Sequence, residues 1–460
     1  MSEPIITTSF KVLSSFMTSN PGVNFVRLLW VDLAFTIRAR VLTADYFRQL
    51  LNQHSFLKIG ANFLSLVDNE APLNVNRAAW SVGQCCLVPD QHSIRLWPSD
   101  ETHAVIFCYF AHLNEESPPQ ARYHPLCPRR ALHKSLNRAE DIDLGLLVGT
   151  EIEFVCTQNL GANATQHAGT EIPVHQVSGL RCFESYMLPI LCEVTDHLRR
   201  SKILVHQVYV EGGIGQFEVS VEPLPPTEAL DSLILVRETI WNICHRHRVR
   251  VSFHPRVGSP GRWAYNGVHL NISLHGKAAG QGGADQQFIA GVFEHMDSLF
   301  ALGLPHPESY HRVQPNLQAI GVFKAWGTEN RTVPIRRKGN NFWEIRFVDA
   351  SSNVYLLLAA VVATGVISLR GETSLRLRDC NVDPARINEE ERLVLGISEK
   401  VPSCVEDSFE ALRLNTVLAS EMSTRLVSCY LSLMESYNKK LKDQGDLGSQ
   451  ERYSWLAARL

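Results

Sequence analysis

Glu151 and Glu153 stand two residues apart in the run Gly149-Thr150-Glu151-Ile152-Glu153-Phe154, which reads as a strand with both acids on one face. The flanks Leu146, Leu147, Val148, Phe154 and Val155 are apolar, so the acids face an enclosed space rather than water. Like charges that close are costly unless a cation sits among them. Strand-like runs carrying chemistry return three more times, at Glu211 and Glu218, at His269, Asn271 and Ser273, and at Glu344 and Arg346. Together they predict a barrel of strands aimed at metal ions and a phosphorylated nucleotide.

Carboxylate oxygens with one imidazole suit Mg²⁺ or Mn²⁺, and no cysteine lies beside them to suggest zinc. Taken singly, each acid reads equally as a solvated strand residue and His269 as a satisfied core histidine. In the segment Asn330–Arg336, Arg331 and Arg336 flank apolar residues, which fits phosphate clamping better than the solvated basic face that Arg331, Arg336, Arg337 and Lys338 could also form. The run His245–Arg250 reads as surface. There is no P-loop, no GxGxxG ahead of a helix and no GxSxG, so a nucleotide must be held by a less common fold.

The elements that position these residues follow from pattern. Asn24–Val31 and Thr36–Val41 read as a hairpin, and Thr43 as the N-cap of a helix to about Gln53 with Tyr46, Phe47, Leu50 and Leu51 on one side. Strands at Gln84–Val88 and Ser93–Trp97 flank a turn, and Ala104–Phe110 follows. The proline-rich segment 114–127 is expected to be a linker between a small domain, 1–113, and a large one, 128–460. Beyond it come a helix from Pro128, a loop over 158–178 that is either lid or plain surface, and helices over Tyr186–Arg199 and Thr227–His247. A glycine-rich bend at Gly212, Gly213 and Gly215 joins two strand segments. Val268–Leu274 alternates as a half-buried strand, Gly276–Asp285 reads as a flexible loop, and Gln287–Leu302 as one helix. Asp349 is the expected cap of the apolar helix that follows it.

A length of 460 residues predicts two or three domains, or one small domain attached to one large. A net charge of -3 gives no reason to expect nucleic acid or an acidic membrane as partner. Eleven scattered cysteines without a CxxC pair favour reduced thiols and a cytoplasmic setting. The first ten residues lack the pattern of a secretory leader, and Val354–Leu369 is too short to span a bilayer.

The motifs, read together, resemble class I glutamine synthetases over nearly the whole chain, and within that superfamily the fungal glutamine-synthetase-like proteins of the FluG kind. FVRLLWVDLAFTIRARVL is similar to the family's β-grasp domain and LVPD to its short hairpin; GTEIEF, EGGIGQFEVS, NGVHLNIS, ESYHRVQP, NRTVPIR and WEIRFVDASSNVYLLLAA follow in family order. The resemblance implies an α+β fold: a small β-grasp domain and a large catalytic domain with an antiparallel barrel or funnel packed by helices. It implies that Glu153, Glu211 and Glu218 hold one Mg²⁺ or Mn²⁺ and Glu151, His269 and Glu344 another, two or three ions in all. Ser273, Asn271 and Arg336 would contact ATP, Arg331 would neutralise the transferred phosphoryl, and Arg312, Arg346 and Gly267 would bind the acid. The implied chemistry is phosphorylation of a glutamate-like carboxylate by ATP and attack of an amine on the acyl phosphate, in stacked rings of subunits.

Departures from the family pattern narrow this. Gln318 stands where the family has a flap glutamate, and an amide neither takes a proton from ammonium nor attracts it. The DGSS loop has no clear counterpart between Lys58 and Ala71, Phe342 replaces a phosphate-binding arginine, Ala264-Tyr265 replaces an Asn-Gly, and Asn271 replaces the second histidine of HxH. No tyrosine lies in 387–395 for an adenylylation switch. The expected activity is a ligase forming a gamma-glutamyl amide with an amine other than ammonia. Alternatives are a catalytically silent nucleotide-binding scaffold and, third, a true glutamine synthetase.

Overall fold

The computed structural model describes residues 9–66, 83–114, 120–158, 176–180, 187–259, 262–447, 449–457 and 459. Most of the 158–178 loop, the start of the helix expected at Tyr186 and the end of the span searched for a DGSS counterpart lie outside these residues.

Helix Phe10–Ser19 leads into β1 (Phe25–Val31) and β2 (Ile37–Thr43), an antiparallel pair as the hairpin pattern requires. Thr43 caps helix Ala44–Asn52, its hydroxyl accepting from Tyr46 N–H. Phe47, Leu50 and Leu51 bury one face of that helix, but Tyr46 is exposed, one position off the apolar stripe. Then come β3 (Leu57–Gly60), β4 (Gln84–Pro89), β5 (Arg95–Trp97), β6 (Asp100–Asn114) and β7 (Gln120–Tyr123). The sheet order is β2-β1-β6-β4-β3, with β5 and β7 also on β6 and β1 parallel to β6. β4 and β5 do not form a hairpin with each other: both pair with the long central β6, which offers each of them its hydrogen-bonding groups. Within the segment expected to be linker, residues 120–123 are strand, continuing the pairing along β6.

The second sheet holds β8 (Gly145–Gln158), β9 (Val205–Val210), β10 (Gln216–Leu224) and β11 (Val249–Ser252). A separate pair, β12 (Val257–Ser259) and β13 (Arg262–Ala264), precedes β14 (Val268–His275), β15 (Trp326–Thr328), β16 (Ile335–Gly339) and β17 (Phe342–Ile345). Eight of these strands order as β15-β16-β17-β14-β8-β10-β9, with β11 on β8, and the sheet curls into a funnel. The result is the α+β architecture that the motifs predict.

Helices cover the outside of the funnel. Val354–Arg370 is apolar on nearly every face and packs against Pro128–Glu140 and Ala284–Glu294. Its N-cap is Asn353, not Asp349: Asn353 Oδ1 accepts from Leu356 N–H at 3.3 Å, while Asp349 accepts from Ser351 N–H at 2.9 Å in the preceding turn. Asn353 Nδ2 also donates to the carbonyls of Asp32 at 2.9 Å and Leu33 at 3.2 Å, tying the turn between β1 and β2 to this helix.

Other expectations need correction. β14, expected to be half-buried, is buried along most of its length, with His269 and Asn271 on its polar side lining an enclosed space. The expected flexible loop over 276–285 contains a helical turn, Gly276–Ala279, and the start of helix Ala284–Glu294. The expected helix over 287–302 is two, broken at His295, whose backbone (φ -109°, ψ 11°) ends one helix and opens Met296–Gly303. Among the described residues ten cysteines are free thiols. Among the described residues no helix is long and apolar enough to cross a membrane.

Candidate active site

Strand register gathers the acids. On β8, Glu151 and Glu153 point to the same side. β10 sets Glu218 directly opposite Glu153, and on the other flank β14 sets His269 opposite Glu151. β17 then places Glu344 opposite Asn271, and β16 places Arg336 opposite Glu344. Glu211 joins from the bend after β9, where its N–H donates to Gln216 carbonyl at 2.9 Å. These residues line a cavity of about 680 Å³ together with Arg312, Gln318, Arg331, Lys338 and Arg346.

Two overlapping groups of donor atoms lie within 4.8 Å of one another: Glu153, Glu211 and Glu218, and Glu151, Glu218 and His269. Glu218 belongs to both. Glu344 stands beside the second group, its Oε1 3.3 Å from His269 Nδ1. Arginines grip it from two sides, Arg346 Nη1 at 2.6 Å and Arg336 Nη1 at 3.2 Å. Glu151 is held by His269 Nδ1 at 3.2 Å and Lys338 Nζ at 3.2 Å.

The charges differ accordingly. Burial pushes Glu218 well above the usual carboxylate range, and the negative charges of Glu153 and Glu151 add to it. Burial and Glu153 also raise Glu211. Burial acts on Glu151 too, but the hydrogen bond and charge of His269, with Lys338, outweigh it and hold that carboxyl low. Glu344 is likewise low, because Arg346 and His269 overcome its burial. Tyr209 donates its hydroxyl to Glu218, and burial with that neighbouring carboxylate raises the phenol's pKa.

The acid-binding candidates are tied into the wall. Arg312 is buried, donating through Nη1 to Val348 carbonyl at 2.5 Å and through Nη2 to Arg346 carbonyl at 3.1 Å. Its Nε has no hydrogen-bond partner among the described residues. Gly267 donates its N–H to Glu153 Oε2 at 2.5 Å. A Cβ there would lie 2.4 Å from Arg312 Nη2, so only glycine lets the guanidinium in. Arg346 Nε donates to Ala319 carbonyl at 3.0 Å and Nη2 to Gln318 carbonyl at 3.3 Å, holding the segment that carries Gln318.

Of the expected nucleotide contacts, Asn271 lines the cavity and accepts from Lys338 Nζ at 3.1 Å. Arg336 lines it too but is engaged by Glu344 and Glu329, and Arg331 is an exposed residue on its wall. Ser273, two residues beyond Asn271 on β14, is not among the lining residues. Sequence reasoning missed Tyr209 and Trp263, and left Lys338 in a basic run without a place in the site. Tyr209 had one signal, its period-two spacing from Glu211.

The donor set of carboxylates and one imidazole, with mutually repelling acids at its centre, fits hard divalent cations.

A family profile described as "Glutamine synthetase, catalytic domain" matches residues 125–445. Protein fluG of Emericella nidulans is 29% identical over 459 residues, which is 98% of this chain and 50% of that protein, so the chain spans about half the length of this relative. Gamma-glutamylpolyamine synthetase GlnA3 of Streptomyces coelicolor is 31% identical over 359 residues, 72% of this chain and 73% of that one. Glutamate–isopropylamine ligase of a Pseudomonas species is 26% identical, covering 78% of this chain and 80% of that one. Among solved structures, a GmaS/ADP complex superposes with a TM-score of 0.79 at 20% identity, covering 96% of this chain and 99% of that one, a likeness of fold. The chain belongs to the glutamine synthetase family and is similar over nearly its whole length to part of the FluG protein.

Proposed function

We propose that this chain is an ATP-dependent ligase joining the side-chain carboxylate of glutamate, or a related acid, to an amine other than ammonia. The observation that carries this reading is Gln318: the cavity wall presents an amide where ammonium would need a carboxylate. The same cavity is lined by Trp263, Tyr265 and Leu317, whose apolar surface suits the carbon substituents of an amine. Two relatives, a gamma-glutamylpolyamine synthetase and a glutamate–isopropylamine ligase, support a substituted amine.

In this reading a carboxylate oxygen of the acid attacks the γ-phosphorus of ATP and ADP leaves. The amine nitrogen then attacks the acyl carbon, phosphate departs, and the amine gives up a proton to leave a gamma-glutamyl amide. Arg312 and Arg346, buried and fixed by backbone carbonyls, orient the acid at low entropic cost. Arg331, on the cavity wall, offsets charge on the transferred phosphoryl. Mg²⁺ or Mn²⁺ held by Glu153, Glu211 and Glu218, with His269, Glu151 and Glu344 adjoining, would screen the phosphate oxygens. The proposal includes a small domain over 1–113, a catalytic domain over 128–460 and self-association into rings.

Mass spectrometry of reactions containing ATP, Mg²⁺, glutamate and a mixture of amines tests it. A gamma-glutamyl amide of an alkyl- or polyamine, formed in preference to glutamine, is expected. Glutamine as the dominant product would overturn it. ATP binding without any amide would favour the silent scaffold, which Phe342 motivates by withholding a cation from the phosphate side.

A further inference from the structure

The carboxylates of the cavity fall into two sets, one of which is in contact with Lys338. In the first, Glu153, Glu211 and Glu218 crowd within 4.8 Å. Neutral donors reach each of them: Gly267 N–H on Glu153, Gly212 N–H on Glu211 at 2.9 Å, and Tyr209 hydroxyl on Glu218. Such donors orient carboxylates but do not cancel their charge.

The second set has cations built in. Arg346 and Arg336 take both oxygens of Glu344. Lys338 takes Glu151 Oε1 at 3.2 Å, while Glu151 Oε2 faces His269. The ammonium is anchored twice more, by Asn271 Oδ1 at 3.1 Å and by the Phe342 ring, whose centroid lies 5.5 Å away. Lys338 lies at an irregularity of the β16–β17 pairing, between Arg337 opposite Trp343 and Gly339 opposite Phe342. A divalent ion at Glu151, Glu218 and His269 would have to displace the ammonium from Glu151 and share the space with its charge.

We propose that Lys338 is a resident cation of this site: its ammonium holds the place at Glu151 that a second divalent ion would take. The chain by itself then binds one divalent ion tightly, at Glu153, Glu211 and Glu218. The inference rests on reading the cavity as a cation-assisted ligase site, but its test reads metal stoichiometry and not which amine is used.

The experiment is titration of the full chain with Mn²⁺ in the absence of nucleotide, free Mn²⁺ being counted by electron paramagnetic resonance. The wild type should take up one tight equivalent per chain, and Glu153→Ala should lose it. Lys338→Met and Lys338→Gln should each gain a second equivalent, tightened by about tenfold or more over the wild type's second, because a fixed like charge is removed at close range. Lys338→Arg should stay at one. Two equivalents of similar affinity in the wild type would overturn the proposal, as would one unchanged equivalent in folded Lys338→Met and Lys338→Gln, shown native by circular dichroism.

Discussion

Glu218 on β10 lies directly opposite Glu153 on β8, two acids paired across antiparallel strands at the centre of the cavity. Opposed like charges destabilise a sheet, so the fold carries this pair at a cost that a cation can offset. Glu218 and Glu211 are both raised above their ordinary value of 4.5, so these two carboxyls hold more protons in the folded chain than in the unfolded one near and above that pH. Their contribution to metal-free stability should therefore fall as pH rises from about 4.5 through the folded values, and is read as the difference between wild type and Glu218→Gln. Thermal melts across pH with chelator, then with Mg²⁺ or Mn²⁺, check this. The variant-minus-wild-type difference should grow with pH in chelator and shrink when metal is added, and Glu218→Gln should melt higher than wild type only when metal is absent.

Replacing Gln318 by Glu restores a carboxylate to the cavity wall. The variant should raise kcat/KM for ammonium by about tenfold or more, since general-base groups contribute on the order of 10²–10⁴ in rate. Steady-state kinetics with ammonium against a larger amine measure the ratio, and an unchanged ratio would remove Gln318 as the selectivity determinant.

Gly267→Ala forces a methyl to within 2.4 Å of Arg312 Nη2. The guanidinium must shift, and the acid's KM should rise by at least ~10-fold with a smaller change in the KM for ATP, because misplacing an orienting group weakens the substrate it orients. Equal rises in both would place the effect elsewhere.

Asn353→Ala removes the cap of the central apolar helix and both bonds to the β1–β2 turn. A loss of about 1–3 kcal/mol in chemical denaturation is expected, from one cap and buried carbonyls left without donors. A change below about 0.5 kcal/mol would show that the turn and helix are held by packing alone.

Much of this was legible in the residues. Period-two spacing put Glu151 and Glu153 on one face, and strand register then brought Glu218 and His269 to them. Glycines at the bend before β10 marked where Glu211 would enter. What pattern could not supply was which strands become neighbours. Lys338 belongs to a basic run with no assigned place until β16 is laid beside β17, and β17 beside β14, when its ammonium reaches Glu151 and Asn271. Asp349 looked like the helix cap because acids favour that position, but the turn through Ser351 and Ser352 delays the helix to Val354. The break at His295 is invisible in apolar spacing that stays in register on both sides of it.

The central claim is tested most directly by phosphate release from ATP with Mg²⁺ or Mn²⁺ and glutamate. Ammonium would be compared with a panel of mono- and polyamines, with Glu153→Ala as the blank. Stimulation by one class of substituted amine above that by ammonium is expected, reduced at least ~100-fold in Glu153→Ala. Saturation by ammonium as the best nucleophile, or release that survives Glu153→Ala, would contradict it.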